Sequence, residues 1–328
     1  MTLLKVYFIF PLFVLLVVAT FFNVLLAKPR AGNFNNKKFC KAKINDLGQD
    51  AMELASSNGC INWANNLLSA GQDINQQFKY GDTPLTSAIT NFEKEMVVFL
   101  IKNGADPNLH DNLSGMSPLN LAIGYNNIMK PIDNSTRRKI VKVLIEAGAS
   151  VNLLNKESMP LFTVDMQSTK EKNDEWAPLT TAVAMGDYNI SHLLIQKGAQ
   201  VNITKGKKPI MVISTIEILE LLIENGASVH TKDSTGMTPF HGAAIYGNEK
   251  IIIKLIELAL DINARDKFGY TPLLRAIAWG ASNNIQVLLD LGADYKIRTN
   301  TGKSALDIAK QHNNQIAIEI LKSMNVSQ

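Results

Sequence analysis

From Gly81 onwards, apolar positions along the chain alternate between two settings. A short apolar run opens on a proline, as at Pro84 and again at Pro272, and a few residues later an aliphatic stripe follows at helical spacing. The stripes fall in Met96 to Ile101, Ile140 to Ile145, Ile251 to Leu258 and Ile285 to Leu291. This pattern predicts helix pairs, the first member short and the second amphipathic. A glycine after each stripe predicts a stop in the left-handed conformation, and the polar stretch beyond it reads as a hairpin tip.

The unit repeats. Its opening triplets are Thr83-Pro84-Leu85, Ser117-Pro118-Leu119, Ala177-Pro178-Leu179, Lys208-Pro209-Ile210, Thr238-Pro239-Phe240, Thr271-Pro272-Leu273 and Ser304-Ala305-Leu306, at spacings of 34, 60, 31, 30, 33 and 33. Thr or Ser can accept a bond from a first-turn amide, and proline suits the first helical position because its missing N–H would have had no partner there. Four residues after the proline stands a small residue, Ala88, Ala122, Ala182, Ala243, Ala276 or Ala309, where helices must approach closely; Ile213 is the exception. Gly104-Ala105, Gly198-Ala199 and Gly292-Ala293 close the unit, with Ala259-Leu260 a degenerate copy. Gly148-Ala149 comes late and Gly226-Ala227 early, as insertions and deletions in the register would make them.

A period near 33, a Thr-Pro-Leu-His-x-Ala signature and a closing Gly-Ala-Asp-x-Asn resemble ankyrin repeats. The best copies run from Gly236 through Thr238, Pro239 and His241 to Gly247, from Gly104 to Asn108, and from Gly292 to Asp294. The resemblance implies an all-α solenoid of stacked helix pairs with β-hairpin loops, to which the apolar run ahead of the repeats adds one N-terminal apolar helix outside the array. Seven copies, the last a C-terminal cap, cover about Gln76 to Val326, so the repeat region is taken as 76–328. Residues 31–75 read as a linker and a capping helix pair, with Leu47, Ala51, Leu54 and Ala55 on one helix and Ile61, Ala64, Leu67 and Leu68 on the next. Insertions fall near 126–138 and 154–175, and the fourth copy, Lys205 to His230, is short and lacks the small residue.

Ahead of the repeats, Val6 to Ala27 carries no charge and as a helix would reach roughly 33 Å, enough to span a bilayer. Residues 1–30 therefore read as a signal peptide or a transmembrane anchor. The anchor is favoured because the best cleavage site, Leu25-Leu26-Ala27, puts a bulky Leu where a small residue is needed. Lys28, Arg30, Lys37, Lys38, Lys41 and Lys43 after the span point to a cytoplasmic repeat domain. Cys40 and Cys60 point the other way. A disulfide between them would close about 20 residues and contribute about 3 kcal/mol; free structural thiols are the alternative. A short tail with one Lys also looks like an ordinary export signal, so the reading is an exported or membrane-anchored, periplasmic or other extracytoplasmic domain.

Composition adds exclusions. Of 328 residues 46% are apolar and 19% charged, with 33 Lys plus Arg against 29 Asp plus Glu. Seven of the basic residues lie in residues 1–43, leaving 26 basic against 29 acidic, which argues against nucleic acid as a partner. His110, His192, His230, His241 and His312 fall in different copies without a metal-ligand pair at helical spacing. Thr301-Gly302-Lys303-Ser304 echoes a phosphate loop but lacks its leading glycine and strand, so it reads as a repeat start. With no nucleophile constellation either, the sequence predicts no enzyme, no cofactor and no metal.

What remains is a face for another protein. Large side chains stand where the repeat itself asks for none: Tyr80, Met116, Tyr125, Trp176, Met185, Met237, Tyr246, Phe268, Tyr270 and Trp279. Aromatic and Met side chains on a rigid concave surface are the material of binding hot spots. Tyr246, Phe268, Tyr270 and Trp279 are expected to form the main cluster. The expected function is a protein-binding adaptor, in a narrower version an inhibitor or immunity protein; the alternatives are a membrane tether and an enzyme built around the 154–175 insertion.

Overall fold

The structure, a computed structural model, describes residues 40, 51–79, 81–111, 115–124, 133–155 and 175–326. The apolar run 6–27, Tyr80, Tyr125 and the inner part of the 154–175 insertion lie outside the described residues. Among the described residues, no helix is long and apolar enough to cross a membrane.

Helices follow one another in pairs. The capping pair is α1 (Ala51–Ser57) and α2 (Ile61–Ser69). The copies then run α3 (Pro84–Thr90) and α4 (Lys94–Lys102), α5 (Pro118–Gly124) and α6 (Asn134–Glu146), and α7 (Pro178–Ala184) and α8 (Tyr188–Gln196). In the fourth copy a single 3₁₀ turn, Pro209–Met211, replaces the first helix ahead of α9 (Ile216–Glu224). The series ends with α10 (Pro239–Tyr246) and α11 (Glu249–Glu257), α12 (Pro272–Trp279) and α13 (Ser282–Asp290), and α14 (Ala305–Gln311) and α15 (Gln315–Val326). First helices pack on first helices, α3 on α5, α5 on α7, α10 on α12 and α12 on α14, and each packs on its own second helix. One apolar core runs unbroken from Ala51 to Leu321.

The local causes are those the triplets imply. Thr83 and Thr86 form a reciprocal capping box, as do Thr238 with His241 and Ser304 with Asp307, while Thr271 Oγ1 accepts from Leu274 N. The small residues after the prolines are all buried, and Ile213 is buried in the fourth copy. Where the closing glycine is replaced, Ala259 itself adopts the left-handed conformation at φ 58°.

One boundary and one kind of element differ from the sequence reading. Asp133 caps α6, whose helix begins at Asn134, so the end of the supposed 126–138 insertion is helical. The expected β-hairpin loops contain no strand among the described residues. Each tip is instead a tight turn closed by main-chain bonds, Asp233 N to Met237 O, Asp266 N to Tyr270 O and Thr299 N to Lys303 O, each 3.0 Å, with Gly236, Gly269 and Gly302 N donating back to Asp233, Asp266 and Thr299 O. Side chains finish the closure: Asp266 Oδ1 accepts from the amides of Phe268 at 2.8 Å and Tyr270 at 2.9 Å. With the tip amides bound to a carboxylate, little main chain is left to build a ladder.

A second line of bonds joins the copies beyond the second helices. Asn75, Asn108, Asn152, Asn202 and Asn263 each accept from a backbone amide of the next copy, at 2.8 to 2.9 Å. Asn108, Asn152 and Asn202 also donate to the carbonyls of Gly148, Gly198 and Gly226. His230 occupies the corresponding place in the fourth copy and is exposed.

Candidate functional site

The candidate face is built at both ends of α12. At its C-terminal end Trp279 meets Tyr246, the last residue of α10, with ring centroids 6.0 Å apart and planes at 65°. Both stand seven residues after their proline, and stacking of α10 on α12 turns that shared register into contact. Both rings are half-buried, and Tyr246 packs on the core. Just past them the turns Gly247 and Gly280 to Asn284 line an open cleft of about 310 Å³ with Ile245. Asn284 holds the cleft wall, donating to the carbonyls of Ala244 at 3.0 Å and Gly247 at 3.1 Å.

At the other end of α12 the tip residues Phe268 and Tyr270 surround Arg275. Its guanidinium carbon lies 4.5 Å from the Tyr270 ring centroid and 5.9 Å from that of Phe268. Arg275 Nε donates to Asp266 Oδ2 at 2.8 Å, and the carboxylate is fully buried. One charged pair thus braces the tip from inside and leaves Phe268 exposed on the outside.

His241 ties this tip to the preceding copy. Its Nδ1 accepts from Thr238 N at 3.1 Å, so its Nε2 carries the proton and donates to Tyr270 O at 3.1 Å. Burial holds the imidazole below the ordinary histidine range, against a smaller opposing effect from the Tyr270 carbonyl. It is a structural neutral histidine.

The expected cluster of four therefore separates into two patches at opposite ends of an eight-residue helix, about 12 Å apart at the usual rise. Of the other expected residues, Met185 and Met237 are half-buried, while Met116 and Trp176 are buried in the core. The carbonyl of Trp176 accepts from Asn155 N and from Asn120 Nδ2, which also donates to Asn155 Oδ1. The second and third copies are thus joined through buried polar groups, beside the buried Trp176 side chain. Arg275 was not among the sequence candidates; its signal is an Arg on the first helix nine residues after the tip Asp.

Other chemistry is thin on this surface. Among the described residues, no three His, Cys, Asp or Glu side chains gather as a metal site would require. His192 stacks on Tyr188 with centroids 5.9 Å apart. Cys40 and Cys60 are joined as a disulfide at the start of α2.

A family model described as ankyrin repeats (3 copies) matches residues 52–155 and 210–299. The chain belongs to the ankyrin-repeat family. The stretch between the two matches holds the long insertion and the third copy. Among relatives, this ankyrin-repeat chain is 26% identical over 220 residues, 60% of its length, to the human transient receptor potential cation channel subfamily A member 1. It is 24% identical over 205 residues, also 60% of its length, to the phosphocholine transferase AnkX of Legionella pneumophila. The chain spans only 19% of the length of each. Among solved structures, the human ASB11 ankyrin repeat domain matches with a TM-score of 0.43 and 22% identity, covering 82% of this chain and 96% of that one.

Proposed function

We propose that this ankyrin-repeat chain is a non-enzymatic adaptor, exported or membrane-anchored, that binds a partner protein through the concave face around α10 and α12. Ankyrin repeats are protein-binding modules. The observation that carries the reading is the Tyr246–Trp279 pair, two large rings left half-open on adjacent first helices, next to an open cleft. Amphipathic rings in a rigid, partly desolvated setting supply contact area at low entropy cost. The Cys40–Cys60 bond supports export, since such bonds persist in oxidising compartments. The narrower form is an inhibitor or immunity protein of the cell envelope.

The second reading, a tether that only holds its partner at a membrane, draws on the length of the apolar run 6–27. Affinity capture from the native envelope, comparing wild type with the Trp279→Ala/Tyr246→Ala variant, tests the adaptor. One stoichiometric partner captured by wild type and lost in the variant is the expected result. Equal recovery by both, or a variant that has unfolded, removes the support of the ring pair. Activity of a form without residues 1–30 separates the inhibitor from the tether.

A further inference from the structure

The tips of the C-terminal half form one continuous, basic edge. Bonds join them in order: Lys208 Nζ to Lys232 O at 2.9 Å, Lys267 N to Thr235 O at 2.9 Å, and Asn300 N to Phe268 O at 3.0 Å. Within the tip segments 204–208, 230–237, 263–270 and 296–303, nine residues are Lys or Arg and two are acidic. The two acids do not offset the edge. Asp266 has a fully buried side chain bound to Arg275, and Asp233, 13% exposed, faces Lys207 at 3.6 Å. Lys205, Lys232, Arg265, Lys267, Lys296 and Arg298 are exposed. Two of these have acids from outside the tips, Lys205 with Glu175 at 3.0 Å and Arg298 with Asp307 at 4.0 Å. Other exposed acids lie before two of the tips, Asp261 and Asp294, where each accepts from a main-chain amide, and on the second helix α9, Glu217, Glu220 and Glu224. In the N-terminal copies the tips around Lys79, Asp82 and Asp111 show no such excess.

The basic edge and the exposed Phe268 with its Tyr270–Arg275 platform occupy the same tips. We infer that the partner presents an acidic polypeptide segment, carrying at least one aromatic or aliphatic side chain, that lies along this edge with its apolar group against Phe268 and its carboxylates on the flanking Lys and Arg. The inference rests on the adaptor reading and adds the chemistry of the partner. Charge complementarity selects a segment of protein over nucleic acid, because a long polyanion also meets the field of the acidic second-helix side and of a folded region whose acids outnumber its bases. A short acidic segment feels only the local edge.

The test is selection of a phage-displayed random 16-residue peptide library on the full-length protein in detergent, followed by affinity measurement of the selected peptides. Wild type is compared with Lys232→Glu/Lys267→Glu/Arg298→Glu, with Glu217→Lys/Glu220→Lys, and with Trp279→Ala/Tyr246→Ala. Selected peptides rich in Asp and Glu with an apolar residue are expected, weakened about tenfold or more by the tip variant and by half-molar salt, and not weakened by the α9 variant. Neutral or basic peptides that need Trp279 and Tyr246 leave the adaptor standing and overturn the acidic partner. No selected peptide, or peptides indifferent to both the tip and the ring variants, overturn both. Tighter binding of a 20-nucleotide single strand than of any peptide replaces the acidic protein with nucleic acid.

Discussion

Trp279 meets Tyr246 edge-on across the boundary between two consecutive repeats, with centroids 6.0 Å apart. The contact joins the final residues of α10 and α12, so it reports on how the fifth and sixth copies stack. A double-mutant cycle on thermal or urea unfolding is expected to give a coupling of about 0.5–1.5 kcal/mol between the two rings. Both single alanine variants remain folded, losing only a few degrees in Tm because each ring is half-open to solvent. A coupling indistinguishable from zero would mean that the rings are held independently.

Arg275 is the cation of a fully buried carboxylate, Asp266. Arg275→Ala leaves that charge unpaired and is expected to destabilise the chain by about 3 kcal/mol. Arg275→Lys keeps the charge but loses the two-pronged geometry and the flat contact with Tyr270, and recovers only part of the loss. Chemical denaturation of the three proteins checks the order wild type, Lys, Ala.

His241 makes the stability depend on pH. Its folded-state pKa is depressed by burial, so as pH falls through about 6.5 the unfolded chain takes up the proton first. The contribution is complete above that value and is lost as pH falls towards the depressed folded value. Tm is expected to decline between pH 7 and pH 5.5. His241→Leu, copying Leu274 of the next repeat, lowers Tm at pH 7.5 by removing two bonds but flattens this part of the profile. An unchanged slope in the variant assigns the dependence to another group.

Gly242 and Ala259 are predicted to respond with opposite signs. A Cβ at Gly242 would stand 2.1 Å from Met211 O, where α10 abuts the 3₁₀ turn of the fourth copy. Gly242→Ala therefore loses about 1–3 kcal/mol despite the better helix propensity of alanine. Ala259 already pays for a left-handed backbone at φ 58°, so Ala259→Gly gains about 1 kcal/mol. Urea midpoints at constant m-value distinguish the two.

His230 interrupts the line of asparagines that joins neighbouring copies. His230→Asn supplies a side chain of the right length to accept from the main chain of the fifth copy, as Asn202 does from Ser228 N at 2.9 Å. A gain of about 1 kcal/mol is expected, and slower hydrogen exchange of the amides around Asp261 shows whether the new bond forms.

The helix pairs, their order and their caps were legible in the sequence because they depend on neighbours a few residues apart. Pro84 and Pro272 start helices wherever the chain goes next, and the alanine after each must be small because every copy stacks in the same way. The triplet Lys208-Pro209-Ile210 carried the same mark and made only a 3₁₀ turn, for Ser214 and Thr215 follow too soon for a full helix before α9 begins.

Tertiary structure decided which large side chains face outwards. Trp176 and Tyr270 share one register, two residues before the proline, yet the first is buried and the second lies over Arg275. Period alone cannot separate them, since burial depends on what the adjacent copy brings to the same place. The charge of the partner surface was hidden in the same way. Counted along the chain, bases and acids nearly cancel; stacking gathers the exposed Lys and Arg on one edge and turns Asp233 and Asp266 inwards, because a tip carboxylate is needed to bind its own turn amides.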